Sequence, residues 1–228
     1  MPLPKGRGSG GGDNPFNPDL ITQLKPAAWF RFGVGITVTG AGVSTWADQS
    51  GNGRDLLQGT DTNRPALQAD SSILFDGVDN FLKCSAFTFN QPYTVYILGK
   101  QITWADSDRI FSGNAVNTMD LHQSSGGVSP QVSLSAGSGA ANNGEWALNV
   151  YAAVASVFNG ASSSLRVNNT AATTGDAGAG NAGGFELGAD SGGTARWSNI
   201  QVKEVILFSG AHNTATQDRV INYLSSLL

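Results

Sequence analysis

The 228-residue sequence predicts an all-β fold, an antiparallel β-sandwich with one short C-terminal helix and a flexible N-terminal arm. Three observations predict this fold. The chain holds 30 glycines and only 13% charged residues, a composition typical of many short strands joined by turns. Strand-like segments recur between Gly- and Asn-rich turns. A single clear helical pattern follows the last strand-like segment.

The N-terminal segment, residues 1–26, is predicted to be a flexible arm. Most of it is rich in Gly and Pro and buries too little apolar surface to become ordered by itself. Asp19 to Leu24 are predicted to form a short helical turn at its end. Lys5, Arg7 and Phe16 are the candidates in the arm for contacts within an assembly.

Residues 27–228 are predicted to form one domain, because no linker and no internal repeat divides them. Dipeptides such as Asn52-Gly53 and Asp76-Gly77 readily adopt the positive φ that tight turns require. The predicted strands are Ala28–Phe32, Ser44–Ala47, Ile73–Phe75, Phe81–Ser85, Thr94–Lys100, Arg109–Ser112, Met119–His122, Gln131–Ser135, Asn149–Phe158, Ser164–Val167, Gly184–Leu187 and Ile200–Phe208.

The end of the chain has helical rather than strand-like periodicity. Asn213 or Thr214 is predicted to cap a helix over Ala215–Leu227. Its apolar stripe comprises Val220, Ile221, Leu224 and Leu228. We expect this helix to pack against an edge or an end of the sandwich.

Composition and charge exclude several functions. The net charge of -4 and the pI near 5.0 argue against nucleic-acid binding, which needs a basic surface. No stretch approaches the ~20 apolar residues of a membrane span, so no membrane insertion is predicted. Cys84 is the single cysteine, which rules out an intramolecular disulfide, and its apolar neighbours predict a buried, inert thiol.

A set of short motifs follows one another in order along most of the chain. They are Trp46-x-Asp48-x-Ser50-Gly51-Asn52-Gly53, Arg64-Pro65, Phe75-Asp76-Gly77, Tyr93-Thr94-Val95, Arg109-Ile110-Phe111-Ser112-Gly113, Phe185-x-Leu187-Gly188 and Glu204-Val205-Ile206-Leu207-Phe208. This set resembles the concanavalin A-like lectin/glucanase superfamily, of the laminin-G-like type found in bacterial and bacteriophage proteins. The resemblance implies a concanavalin A-like jelly roll. That fold hosts lectins, adhesion modules, hydrolases, lyases and virion parts, so function stays open.

The carboxylates give little indication of catalysis. Glycan-cleaving members of the superfamily usually carry paired carboxylates on one strand, spaced two or four residues apart so that they share a face. Glu145, Glu186 and Glu204 are far apart, and the resemblance implies a structural hydrogen bond for Glu204. Asp106 and Asp108 alternate correctly but lie in a predicted loop. The chain is therefore predicted not to be an enzyme, with polysaccharide degradation kept as an unfavoured alternative.

Some polar loops have the composition of a sugar-binding site, which combines an aromatic platform with Asn, Asp or Gly groups for the hydroxyls. The candidates are Trp104 with Asp106 and Asp108, Trp146 with Asn143, and Trp197. Packing or a protein interface is the alternative for each tryptophan. Trp29 and Trp46 are expected in the core.

Acidic and amide residues also crowd the turn that begins at Asp48. Many members of the superfamily hold Ca²⁺ through such groups, so Asp48, Asn52 and Asp55 form a hypothetical calcium site. The alternative is that these side chains stabilise the turn by hydrogen bonding to nearby backbone. No other cofactor is predicted.

The leading functional prediction is a non-catalytic bacteriophage virion surface protein, either a capsid decoration or a tail-associated component. It rests on the resemblance to phage-type sequences, on the lack of a catalytic motif and on the arm. Its predicted partners are other virion proteins or further copies of the chain, and its location is the virion, assembled in the host cytoplasm and extracellular after release. The main alternative is a module for adhesion or receptor recognition that binds cell-surface glycan.

Overall fold

The computed structural model describes residues 18–115, 118–124, 130–137 and 146–228, together with the backbone of Asn142–Asn143. In chain order its elements are α1 Asp19–Leu24, β1 Ala28–Phe30, β2 Ile36–Thr39, β3 Gly42–Trp46, β4 Leu56–Leu57, a 3-10 helix Asp61–Asn63, β5 Ala66–Leu67, β6 Ile73–Asp76, β7 Leu82–Lys83, β8 Tyr93–Gln101, β9 Arg109–Ser112, β10 Asp120–Gln123, β11 Val132–Ser135, β12 Asn142–Asn143, β13 Ala152–Phe158, β14 Ser163–Val167, β15 Thr173–Gly175, β16 Glu186–Leu187, β17 Asn199–Ser209 and α2 Thr214–Ser225. The arm residues Lys5, Arg7 and Phe16, and also Glu145, lie outside the described residues.

The described strands form two antiparallel sheets. The first sheet has eight strands in the order β15-β14-β13-β8-β17-β6-β5, with β1 also paired to β17. The second sheet has nine strands in the order β12-β11-β10-β9-β16-β7-β4-β3-β2. Phe30, Trp46, Phe111, Phe158 and Phe185 belong to the apolar core of the sandwich. The predicted all-β antiparallel sandwich with a short C-terminal helix is therefore confirmed.

Both α-helices contribute to a second apolar cluster on the outer side of the first sheet. Tyr96 of β8 and Ile206 of β17 pack there with Leu224 of α2 and with Ile21 of α1. Ile21 is fully buried, so the last part of the predicted arm belongs to the packed body of the protein. The division of the chain into an arm and a domain otherwise stays a prediction.

The C-terminal helix begins as the sequence predicts. Asn213 is its cap, and the side-chain Oδ1 of Asn213 accepts a hydrogen bond from the backbone N–H of Thr216 at 2.9 Å. Val220 and Leu224 are fully buried, but Leu228 is 63% exposed. The inclusion of Leu228 in the apolar stripe was wrong, because the helix ends at Ser225, before the stripe would reach it.

The side chain of Glu204, on β17, forms hydrogen bonds with β1 and the residues that follow it. It accepts hydrogen bonds from Trp29 Nε1 at 2.7 Å and from the backbone N–H of Phe32 at 3.1 Å. Burial raises the pKa of Glu204, and these two donors oppose the increase. Glu204 thus makes the structural hydrogen bonds that the resemblance implied.

The outer face of the second sheet has no helix of the described residues packed on it, since α1 and α2 both lie on the opposite side of the sandwich. Polar side chains of this sheet are nevertheless buried, since Ser112, Asp120 and Glu186 are 4%, 3% and 1% exposed. None of the described helices is long and apolar enough to cross a membrane.

Candidate functional site

A row of polar residues crosses the outer face of the second sheet. Strand register aligns Ser135, Asp120, Ser112, Glu186 and Lys83 on five successive strands. The neighbouring row faces the core and comprises Leu134, Leu121, Phe111, Leu187 and Leu82. Because side chains alternate between the two faces of a strand, the apolar row fixes the direction of the polar row. The fold thus brings two carboxylates, from β10 and β16, to one face.

Arg109 is at the centre of the charged part of this face. The Nε of Arg109 lies 3.5 Å from Oδ2 of Asp120, whose other carboxylate oxygen is bonded to Nδ1 of His122. Arg109 and Asp120 are 8% and 3% exposed, so their charges are largely withdrawn from bulk water. Burial lowers the pKa of Arg109, Asp120 opposes this decrease, and the nearby charge of Arg196 adds to it. The two guanidinium groups therefore lie close enough to repel each other.

Arg109, Asp120 and Arg196 line a cavity of about 300 Å³ at this face. Ser112, Asp190 and Ser191 also contribute to its polar lining. Arg196 is exposed and has a left-handed backbone, with φ of 55°, which few residues other than glycine adopt without cost. The backbone oxygen of Arg196 accepts a hydrogen bond from the N–H of Arg109 at 2.8 Å. This bond fixes one end of the loop that bounds the cavity.

The same loop, residues 188–196, is held by a carboxylate of its own. Oδ1 of Asp190 accepts a hydrogen bond from the backbone N–H of Ala195 at 3.0 Å and a longer one from that of Thr194 at 3.3 Å. Two carboxylates and two guanidinium groups thus line one cavity, where they can bond the hydroxyl or acidic groups of a bound molecule.

Glu186 lies beneath this loop rather than in the open cavity. It is 1% exposed, and its Oε2 accepts a hydrogen bond from the N–H of Gly192 at 2.8 Å. Its Oε1 has no hydrogen-bond partner among the described residues. Burial raises the pKa of Glu186 to about 7, so a large fraction of this carboxyl group carries a proton at neutral pH.

The predicted loop with Trp104, Asp106 and Asp108 adjoins the same end of the second sheet. Trp104 is half-buried, and its Nε1 donates to the backbone oxygen of Gln131 at 3.0 Å. Burial raises the pKa of Asp108 to about 6, while the charge of Arg109 opposes the increase. The structure therefore places this loop next to Arg109, although whether the loop contacts a sugar stays a prediction.

The other two predicted tryptophans differ from one another. Trp197 is half-buried, next to Arg196, and forms an isolated β-bridge with Arg109, so it adjoins the cavity. Trp146 is 1% exposed and belongs to the main core. The assignment of Trp146 as an exposed sugar platform was wrong, because its polar sequence neighbours do not prevent its ring from packing above Gly99 of β8. The side chain of Asn143 lies outside the described residues.

The hypothetical calcium ligands cross-link the turn instead. Asp48 accepts hydrogen bonds from the backbone N–H groups of Trp29, Ser50 and Arg54 at 2.8–3.0 Å, and Oδ1 of Asp55 accepts one from the N–H of Asp48. Nδ2 of Asn52 donates to two backbone oxygens. In the part of the chain that the structure describes, no group of three or more acidic, His or Cys side chains is arranged to hold a metal ion. The turn-stabilising alternative accounts for these contacts.

Sequence reasoning missed most of the residues that line the cavity. The Asp120-x-His122 spacing on a predicted strand was an available signal, because residues two apart share a face. Asp190 and Arg196 carry no comparable signal, since they lie in a loop whose path depends on Gly188, Gly192 and Gly193.

Searches found no matching protein family and no matching curated protein, but solved structures share the fold. Trypanosoma rangeli sialidase in complex with sialic acid superposes with a TM-score of 0.61 at 14% identity, over 87% of this chain and 32% of that one. A mutant of a GH54 α-L-arabinofuranosidase soaked with 4-nitrophenyl α-L-arabinofuranoside gives a TM-score of 0.63 at 15% identity, over 81% of this chain and 51% of that one. This chain thus spans about a third to a half of the length of these proteins.

These structural neighbours contradict the prediction that the chain is not an enzyme, since they are glycoside hydrolases. The prediction depended on the missing run of acidic residues along one strand. The structure provides carboxylates by another route, from β10, from β16 and from the loop after β16. At this level of identity the likeness defines the fold, and the activity of this chain is a separate question.

Proposed function

We propose that this β-sandwich binds a saccharide in the cavity between Arg109 and Arg196 on the outer face of its second sheet. The single observation that carries the proposal is the lining of that cavity, in which Arg109, Ser112, Asp120, Asp190 and Arg196 combine donors and acceptors in a concave space of about 300 Å³. Such a combination suits the many hydroxyl groups of a sugar. Trp197 follows the cavity residue Arg196 in the chain, and its backbone forms a β-bridge with that of Arg109.

Supporting arguments come from fold and burial. Sugar-active enzymes share the sandwich fold, and Arg109, Asp120 and Arg196 lie on the side of the sandwich opposite both α-helices. Arg109 and Asp120 are held by each other and by the sheet, so their geometry is set before any ligand arrives. A site ordered in advance loses less entropy on binding. The resemblance of the sequence to the concanavalin A-like lectin/glucanase superfamily is consistent with this proposal.

Replacing Arg196 by Gln tests the binding site directly. We expect the Kd for the best ligand of a glycan array, measured by calorimetry, to rise about tenfold or more, because a hydrogen bond to a charged group contributes about 1.5–3 kcal/mol. Gln is chosen because it removes the charge while keeping a polar side chain.

Arg219→Gln is the matched control, because Arg219 is exposed on α2, on the other side of the sandwich. It removes the same charge and should leave the Kd unchanged. Equal affinity for the Arg196→Gln variant and the wild type, or an array with no bound glycan, would show the proposal to be wrong.

A second candidate function is hydrolysis of a glycosidic bond in the same cavity. The observation that favours it is the pair of carboxylates, Asp120 and Asp190, in one cavity lining, since glycoside hydrolases commonly use two carboxyl groups on either side of the bond. On a panel of 4-nitrophenyl glycosides we expect Asp190→Asn to lower kcat by about a hundredfold or more while Kd changes little. The Asn side chain can still accept the loop's hydrogen bonds at Oδ1. Turnover unaffected by Asp190→Asn, or absent from the whole panel in the wild type, would discard hydrolysis and leave the binding proposal in place.

The biological setting remains a proposal as well. A saccharide-binding protein on the surface of a bacteriophage particle would unite the phage-type sequence resemblance with the cavity, and its partners would be capsid or tail proteins, further copies of the chain and cell-surface glycan. Mass spectrometry of purified virions should detect the chain. Its absence from virions would remove this setting without affecting the binding site.

A further inference from the structure

A second cavity, of about 410 Å³, lies beside the Asp48–Asp55 turn and the end of α1. Its lining includes Thr22, Lys25, Gln49, Asn52, Arg54 and Ser209. Lys25 is the C-cap of α1, where its left-handed backbone, with φ of 54°, allows its N–H to bond the oxygen of Thr22. The residue is exposed, and its side chain borders the cavity.

Two acceptors beside this second cavity, the backbone oxygen of Ala27 and the carboxylate of Asp48, already have donors. The backbone oxygen of Ala27 accepts hydrogen bonds from Nδ2 of Asn52 at 3.0 Å and from Nη1 of Arg54 at 2.8 Å. Asp48, the carboxylate nearest in the turn, accepts from backbone N–H groups and from the hydroxyl of Ser50 at both of its oxygens. At either of these two groups an incoming donor would have to displace an existing hydrogen bond.

The donors, in contrast, have capacity left. The guanidinium of Arg54 stacks over the ring of Phe87, 4.0 Å from its centroid, and uses Nη1 for Ala27. Five N–H donors belong to an arginine, so its other edge can bind a further acceptor. Among the described residues neither Arg54 nor Lys25 forms a salt bridge with a carboxylate. Two cations thus border one cavity in a chain whose net charge is -4.

From these two cations, which have no carboxylate partner among the described residues, we infer that the second cavity binds a small oxyanion, namely a carboxylate, sulfate or phosphate group. The ammonium of Lys25 supplies a point charge, and the planar guanidinium of Arg54 can bind two oxygens of one group. The hydroxyl of Ser209 is a further potential donor to the bound group, whereas that of Thr22 donates to the backbone oxygen of Pro18 at 3.5 Å. This site is separate from the saccharide cavity on the second sheet and does not depend on it.

The inference is tested by NMR titration of the full chain at low ionic strength with inorganic sulfate, inorganic phosphate, sodium glucuronate and glucosamine 6-sulfate. We expect saturable shifts in the backbone amides of residues 22–27 and 49–54, with a Kd on the order of 1 mM for the best anion. If the free ions bind as tightly as the two sugar derivatives, the bare oxyanion is the ligand. Stronger binding of one sugar derivative would identify its anionic group within a saccharide.

Lys25→Gln should weaken binding about tenfold, because it removes one of two charges from an exposed position without affecting the fold. Arg54→Lys keeps the charge but removes the planar guanidinium, and should weaken binding as well. Arg219→Gln and Arg196→Gln should leave it unchanged, which separates this site from the saccharide cavity. Shifts of residues 22–27 and 49–54 that are absent, that do not saturate, or that persist unchanged in Lys25→Gln would overturn the inference.

Discussion

Replacing Trp146 by Ala is expected to lower the free energy of unfolding by about 3–5 kcal/mol, the range found for deleting a large buried aromatic side chain. Trp146 is 1% exposed and packs within the core, near Gly99 toward the end of β8. Its removal leaves a cavity that the sheets on either side cannot close without distortion. Urea unfolding followed by circular dichroism measures the change.

Two further variants separate the loss of the buried ring from the loss of the indole N–H. Trp146→Phe keeps an aromatic ring and removes the indole N–H, which has no hydrogen-bond partner among the described residues, so it should cost markedly less than Trp146→Ala. Trp104→Ala should cost about 1–2 kcal/mol, because Trp104 is half-buried and loses mainly one hydrogen bond, to Gln131. A loss below about 1 kcal/mol for Trp146→Ala would contradict its place in the core.

Trp146 also illustrates what the sequence could not predict about the site. Its neighbourhood contains Asn143 and Gly144, which is typical of an exposed loop. Burial, however, depends on β8, nearly fifty residues earlier in the chain, whose Gly99 leaves room for the ring. Local composition predicts that a turn is present but not what the turn packs against, and this is why one of three predicted sugar platforms proved to be core.

The sequence predicted the buried strands and missed those at the edges of the sheets. The central strands β8, β13 and β17 are buried along nearly their whole length and gave clear apolar segments in the sequence. The missed strands β2, β5, β12 and β15 all lie at sheet edges, and β4 has only two residues. An edge strand has one hydrogen-bonded neighbour and often an exposed face, as Val38 at 50% exposure illustrates, so its alternation is weak.

The candidate site was predictable only in part for a related reason. Asp120 and His122 share a face because they are two residues apart, a relation that the sequence contains. The alignment of Asp120 with Ser112 and then with Glu186 depends on register between strands far apart in sequence. Paired carboxylates were sought along one strand, whereas the fold places them across strands, about 10 Å apart between Cα atoms for two strand spacings.

Stability should fall as pH rises from about 4.5 to 7, and Glu186 should account for a large part of the change. Burial raises the pKa of Glu186 from 4.5 to about 7 in the folded protein. Within that window the folded protein keeps a proton that the unfolded chain releases, so rising pH favours unfolding. One pKa unit corresponds to about 1.4 kcal/mol, which gives about 3 kcal/mol across the window.

Glu186→Gln isolates this contribution, because Gln has nearly the same shape, can accept the hydrogen bond from Gly192 and does not titrate. We expect the variant to match the wild type near pH 4 and to exceed its stability by up to about 3 kcal/mol at pH 8, measured by urea unfolding across the range. Asp176→Asn, at an exposed carboxylate, removes the same charge and is the charge-matched control. Parallel stability curves for Glu186→Gln and the wild type would mean that Glu186 is ionised at neutral pH in the fold. The loop over residues 188–196 would then cover a charge rather than a neutral carboxyl group.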